Sequence, residues 1–174
     1  MSQKVIFLDR DGVVNYDFGY VFKIKNFEFV TGIFEACKFI NSQGFEIIIV
    51  TNQSGISREM YTKEQFFSLN KWMLKEFHKN GINILDVFFC PHNPNDNCSC
   101  RKPLPGMFFE AQKKHKVDMH SSWLIGDKET DIDAATAANI GKKVLVRSGH
   151  PFSEAKSKAD YIIDSIADIR KVLY

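Results

Sequence analysis

Two carboxylates separated by one residue, Asp9 and Asp11 in "FLDRDGVVN", head the set of side chains whose types and spacing could do chemistry. Such a pair can share a divalent cation, or one member can attack while the other moves a proton. A solvated turn, with Gly12 letting the chain reverse, is the alternative reading of the same stretch. Further along, "VTNQSG" offers Thr51, Asn52 and Ser54 as small donors suited to phosphoryl oxygens, or simply a polar turn. Arg101 and Lys102 in "CRKPLPGM" can neutralise phosphate or sit on the surface, as most such cations do. Asp127, Lys128 and Asp131 in "LIGDKETD" can complete a magnesium site or supply the acidic start of a helix.

A second group is softer. Cys90, His92, Cys98 and Cys100 in "CPHNPNDNCSC" follow the pattern C-x-H-x5-C-x-C, four ligands that can close a tetrahedral zinc site. The spacing is not that of ordinary zinc fingers, so unligated thiols stand as the other reading. Cys37 lies apart at an apolar position of a helical pattern and reads as buried filler. His78, His115, His120 and His150 have no matching partners and read as surface or packing residues.

The elements that must position these groups alternate. "KVIFLD" (4–9) and "FEIIIV" (45–50) are short apolar runs of the kind buried on both faces of a sheet, and between them Ile33, Cys37 and Ile40 recur at helical spacing before Gly44. A second helix starts at Thr62, which forms a capping-box pattern with Gln65, and carries Phe66, Leu69, Met73 and Phe77 as its core stripe. Strands are predicted at 84–90, 121–127, 143–147 and 160–164, and helices at 106–116 and 130–141. This order implies a Rossmann-like α/β fold, a parallel sheet with helices on both faces. The longest irregular stretches, 10–30 and 91–105, follow strand ends, where such sheets bind ligands.

A chain of 174 residues suits one domain over 1–174, with the Cys/His loop at 90–100 inside it. No apolar run is long enough to cross a bilayer, and the start "MSQKVIFLDRD" lacks the core of a secretory signal, so a cytoplasmic protein without a membrane partner is expected. In a reducing compartment, close-spaced Cys and His hold metal more often than they form disulfides. A net charge of +2 gives no argument for nucleic acid, and the mixed surface suits a monomer.

Taken in order, the strand ends carrying "DRDGVVN", "VTNQSGI", "CRKPLPGM" and "GDKETDI" resemble the four motifs of the haloacid dehalogenase-like (HAD) phosphatase superfamily. With "GYV" and the Cys/His loop, the combination is similar to the heptose 1,7-bisphosphate phosphatases, a family related to the histidinol-phosphate phosphatases. The resemblance implies a capless HAD-like phosphatase acting on a small-molecule sugar bisphosphate in the synthesis of nucleotide-activated heptose for surface polysaccharide. It implies Asp9 as nucleophile, Asp11 as acid and base, and Thr51 and Lys102 on the transferred phosphoryl group. Magnesium would be held by Asp9, the backbone of Asp11 and Asp127, and zinc by Cys90, His92, Cys98 and Cys100. Substrate contacts would come from Asp17, Phe18, Gly19, Tyr20, Asn52, Gln53, Ser54, Arg101 and Lys128, with Asp131 supporting its loop. The neighbouring Asp9 is expected to let Asp11 keep its proton. Hydrolysis of histidinol phosphate, or a non-catalytic receiver-like phosphate-binding module, are the competing readings.

Overall fold

The strands form where apolar, β-branched runs can bury side chains on two faces at once. In the computed structural model, which describes residues 2–174, they are β1 (Val5–Leu8), β2 (Glu46–Asn52), β3 (Asp86–Cys90), β4 (Trp123–Gly126), β5 (Lys142–Val146) and β6 (Tyr161–Ile163). All five pairings are parallel, in the order β3-β2-β1-β4-β5-β6. The period-2 pleat divides each central strand between two cores. Ile6, Leu8, Ile47, Ile49 and Ile125 face one, and Val5, Phe7, Ile48, Val50 and Leu124 face the other.

Helices cover both cores. α1 (Ile33–Ser42) and α2 (Lys63–Lys79) lie on the first face, and α3 (Gly106–His115) and α4 (Glu129–Ala137) on the second. α2 begins as its sequence dictates: the Thr62 hydroxyl accepts from Gln65 N while the Gln65 side chain accepts from Thr62 N. It buries the expected Phe66, Leu69, Met73 and Phe77. α4 stops short of the Gly141 expected to end it, because Asn139 already turns left-handed at φ 57°. Gly141 serves another need: a Cβ there would stand 1.9 Å from the His120 carbonyl.

The strand order reverses direction between β1 and β4, which makes the crevice beyond their C-terminal ends the natural ligand site. Asp9 follows β1 and Asp127 follows β4, and Asp9 N donates to Ile125 O at 3.0 Å. The intervals that could hold an inserted cap are taken up by loop, α1 and α2. Among the described residues no helix is long and apolar enough to cross a membrane.

Candidate active site and cysteine-histidine cluster

The strand ends open into a cavity of about 450 Å³ whose wall includes Asp9, Asp11, Thr51, Arg101, Lys102 and Lys128. Lys102, 3% exposed, is its electrostatic hinge. Its Nζ donates to Asp9 Oδ1 (2.8 Å) and Val50 O (3.1 Å) and pairs with Asp131 Oδ1 (2.6 Å). The amide of Asn52 fixes the lysine's backbone in both directions, accepting from Lys102 N and donating to Lys102 O, each at 3.1 Å. Asn52 therefore spends its hydrogen bonds on Lys102 rather than on the open cavity.

Asp9, Asp127 and Asp131 bring one carboxylate oxygen each within 4.8 Å of one another, all of them buried. Three such charges facing one lysine are over-loaded. Burial lifts the Asp9 carboxyl well above the usual range; Lys102 opposes the rise, while Asp131 and Asp127 reinforce it. Asp131 has no oxygen to spare, since Oδ1 pairs with Lys102 and Oδ2 accepts from the N–H groups of Asp127 (3.2 Å) and Lys128 (3.1 Å). Asp127 differs: Oδ2 is engaged, but Oδ1 is buried with no hydrogen-bond partner. An orphaned anionic oxygen beside Asp9 fits a hard divalent cation such as magnesium, with Asp9 and Asp127 as side-chain ligands.

Asp11 sits in the opposite environment. Its Oδ1 accepts from Arg10 Nη2 (2.9 Å) and Asn15 Nδ2 (3.1 Å), and its Oδ2 from Gln53 Nε2 (3.1 Å). Burial pushes its carboxyl up, but the Arg10 charge and these three donors outweigh it and hold Asp11 below the ordinary range. The expectation that Asp9 makes Asp11 the proton-retaining carboxyl is thus reversed, because the donors gather on Asp11 and the anions on Asp9. Gln53 also donates to Thr51 Oγ1 (2.8 Å) and accepts from the Tyr61 hydroxyl, whose pKa burial pushes up to about 12.

Of the expected substrate contacts, Asp17, Gly19, Tyr20, Asn52, Gln53, Ser54, Arg101 and Lys128 line the cavity. Phe18 does not: it is 63% exposed and faces a neighbouring depression with Lys25 and Phe27. The loop is bent so by Gly19 (φ 78°) and Tyr20 (φ 48°), with Asp17 Oδ1 accepting from Gly19 N. Three residues without an expected role belong to the site. Arg10 is fully buried and holds Asp11; its place inside D-R-D is the signal. Tyr61 anchors Gln53. His150, expected on the surface or in packing, donates its backbone N–H to Asp127 Oδ2 at 3.0 Å and places Nδ1 2.6 Å from the same oxygen. Its signal is topological, since β5 lies beside β4 and the loop after it reaches the same edge. His115 also has a partner, Asp86, at 2.7 Å.

The sulfur and imidazole ligands gather in the loop after β3. Cys90 Sγ lies 2.8 Å from Cys100 Sγ and 3.7 Å from Cys98 Sγ, and His92 Nδ1 lies 3.2 Å from Cys100 Sγ and 3.4 Å from Cys90 Sγ. Tetrahedral zinc with roughly 2.3 Å bonds to sulfur needs S···S edges of roughly 3.8 Å, so the Cys90–Cys98 edge already fits and the Cys90–Cys100 edge would open. The loop is tied to the cavity by Gln53 N donating to Cys90 O (2.7 Å) and Arg101 Nη1 donating to His92 O (3.3 Å).

A parallel sheet with paired aspartates, a buried lysine and a carboxylate cluster at its switch point defines the class of HAD-like hydrolases. The family model described as HAD-hydrolase-like matches residues 99–169. The chain is 48% identical to the D-glycero-beta-D-manno-heptose-1,7-bisphosphate 7-phosphatase of Yersinia pestis, over 99% of this chain and 97% of that one. It is 42% identical to the enzyme of the same name from Escherichia coli K12, over 99% and 94%. The crystal structure of D,D-heptose 1,7-bisphosphate phosphatase from B. bronchiseptica, complexed with magnesium and phosphate, superposes with a TM-score of 0.86 at 28% identity, covering 97% of each chain. The chain belongs to the family of the D-glycero-beta-D-manno-heptose-1,7-bisphosphate 7-phosphatases.

Proposed function

We propose that the protein is a magnesium-dependent phosphoric monoester hydrolase that removes the C7 phosphate of D-glycero-D-manno-heptose 1,7-bisphosphate, leaving heptose 1-phosphate. The single observation that carries this reading is the Lys102-paired Asp9 beside Asp127 and its unpartnered oxygen, in a chain nearly half identical to a phosphatase of that name. Magnesium bound by Asp9, Asp127 and the Asp11 backbone would offset carboxylate–phosphate repulsion. Asp9 attacks phosphorus; the P–O bond to C7 breaks, and the departing oxygen takes a proton from Asp11. Substrate phosphate entering beside Asp11 opposes the pull of Arg10 and favours the protonated acid. Water, deprotonated by Asp11, then releases phosphate from Asp9. Thr51 and Lys102 hold the transferred group, and Arg101, Lys128 and the 17–20 loop take the rest of the sugar phosphate.

In this reading zinc at Cys90, His92, Cys98 and Cys100 is structural, because four protein ligands leave no open position for water. The chain works as one cytoplasmic domain and as a monomer, supplying intermediates for surface polysaccharide. The test compares phosphate release from the α and β heptose 1,7-bisphosphates and from histidinol phosphate, with and without magnesium. Magnesium-dependent turnover of a heptose bisphosphate is expected to exceed that of histidinol phosphate. A preference for histidinol phosphate would overturn the substrate, and no turnover of any phosphomonoester would overturn the enzyme.

A further inference from the structure

The Asp127 carboxylate is held more tightly than its single charge requires. A Cβ on Gly12 would stand 2.4 Å from Asp127 Oδ2 and one on Gly149 2.2 Å, so bare backbone closes on this carboxylate from two chain segments. Ser148 Oγ donates to Gly12 O at 3.3 Å, which joins those two segments. The next residue, His150, then delivers two donors to Oδ2, its backbone N–H and its Nδ1. An ionised carboxylate only accepts, so the Nδ1 atom carries the proton in this contact. The far side of the same ring reaches the substrate loop: Nε2 lies 3.4 Å from Asp17 Oδ2, and Asp17 Oδ1 holds the Gly19 turn. His150 lines the cavity between them and is half exposed there.

We infer that His150 is a positioning residue for the Asp127 carboxylate. Through Nδ1 it fixes that carboxylate so that the unpartnered Oδ1 is presented to the cation. The inference rests on the proposed magnesium site, and it adds a positioning element from the loop after the fifth strand to a site built from the first four. A donor behind a metal-ligating carboxylate sets which oxygen is free and how much reorientation binding requires.

The Nδ1 contact can be tested with isosteric amides. In His150→Asn the amide nitrogen can stand where Nδ1 stood; in His150→Gln it stands near Nε2 and the donor to Asp127 is lost. Magnesium chloride is titrated calorimetrically into metal-free wild type and both variants. His150→Gln should weaken magnesium binding by about tenfold or more. His150→Asn should keep magnesium affinity near wild type. Wild-type magnesium affinity in His150→Gln, or two variants with the same profile, overturns the assignment. Wild type that itself binds no magnesium overturns the proposed function, and the assignment with it.

Discussion

The two clusters of possible metal ligands were assembled in opposite ways. Asp9, Asp127 and Asp131 come from strand ends far apart in sequence, are buried together, and exist as a group only because β1 and β4 are neighbours. The four Cys and His ligands come from residues 90–100, are mostly half-buried, and meet within one loop. The carboxylate cluster is left electrostatically incomplete, with excess negative charge and an oxygen lacking a partner. The Cys/His loop instead brings four ligands together and uses its backbone to hold Gln53 and Arg101. Incompleteness in a buried polar group marks the place where a ligand is wanted; closure marks the support.

The largest effect that would sharpen this contrast is loss of the proposed nucleophile. Asp9→Asn should lower turnover by roughly 10⁴-fold or more while zinc content and fold are kept, which kinetics, metal analysis and circular dichroism would show together. Substantial residual activity would remove Asp9 from its role. Next in size is the loop. Stripping zinc with a chelator, or Cys98→Ser, should raise KM by about tenfold and lower the melting temperature, with kcat changed far less, because Arg101 and Lys102 lose their anchor. Zinc-free protein that stays folded and fully active would break the distinction between support and site.

A smaller effect concerns charge alone. The folded-state pKa of Asp9 is raised, so in metal-free protein its ionisation destabilises the fold as pH climbs from the unfolded value of about 3.9 through the raised one. Metal-free Asp9→Asn should therefore melt a few degrees higher than wild type at pH 7, and the gain should vanish near pH 3. A variant that melts lower at pH 7 would mean that the attraction of Lys102 outweighs burial and repulsion. The smallest effect lies away from both clusters, at Asp86. Burial raises its carboxyl, but hydrogen bonds from Lys114, His115 and Val87 N prevail and lower it. Its stabilisation is present above the unfolded pKa and lost as pH falls through the depressed folded value. Asp86→Asn should destabilise by less than about 1 kcal/mol at pH 7, measured by denaturant unfolding, with the difference closing below pH 3.

Periodicity made the strands legible, because β1, β2 and β4 are buried on both faces and admit little but apolar residues. The Thr62 cap was legible for the same local reason, since both partners of its box lie within one turn. Motif order carried Asp9, Thr51 and Lys102 to one cavity, with Asp127 buried beside Asp9. What sequence did not reveal depends on distance in the chain. His150 reaches Asp127 from a loop 23 residues later, and nothing in "RSGHPF" announces which strand lies alongside. The proton balance between Asp9 and Asp11 was hidden too, because it turns on Arg10, Asn15 and Gln53 converging on one carboxylate. Phe18 faced away because a left-handed turn at Gly19 and Tyr20 rotates its neighbours, a choice that spacing alone does not reveal.

In the proposed mechanism Asp9 carries the phosphoryl group between substrate and water. Wild-type protein turning over the heptose bisphosphate with magnesium can be quenched in acid, digested, and searched by mass spectrometry. A single phosphoryl group is expected on the peptide containing Asp9, absent from Asp9→Asn. Sustained turnover with no covalent phosphate, or with phosphate on any other residue, would contradict it.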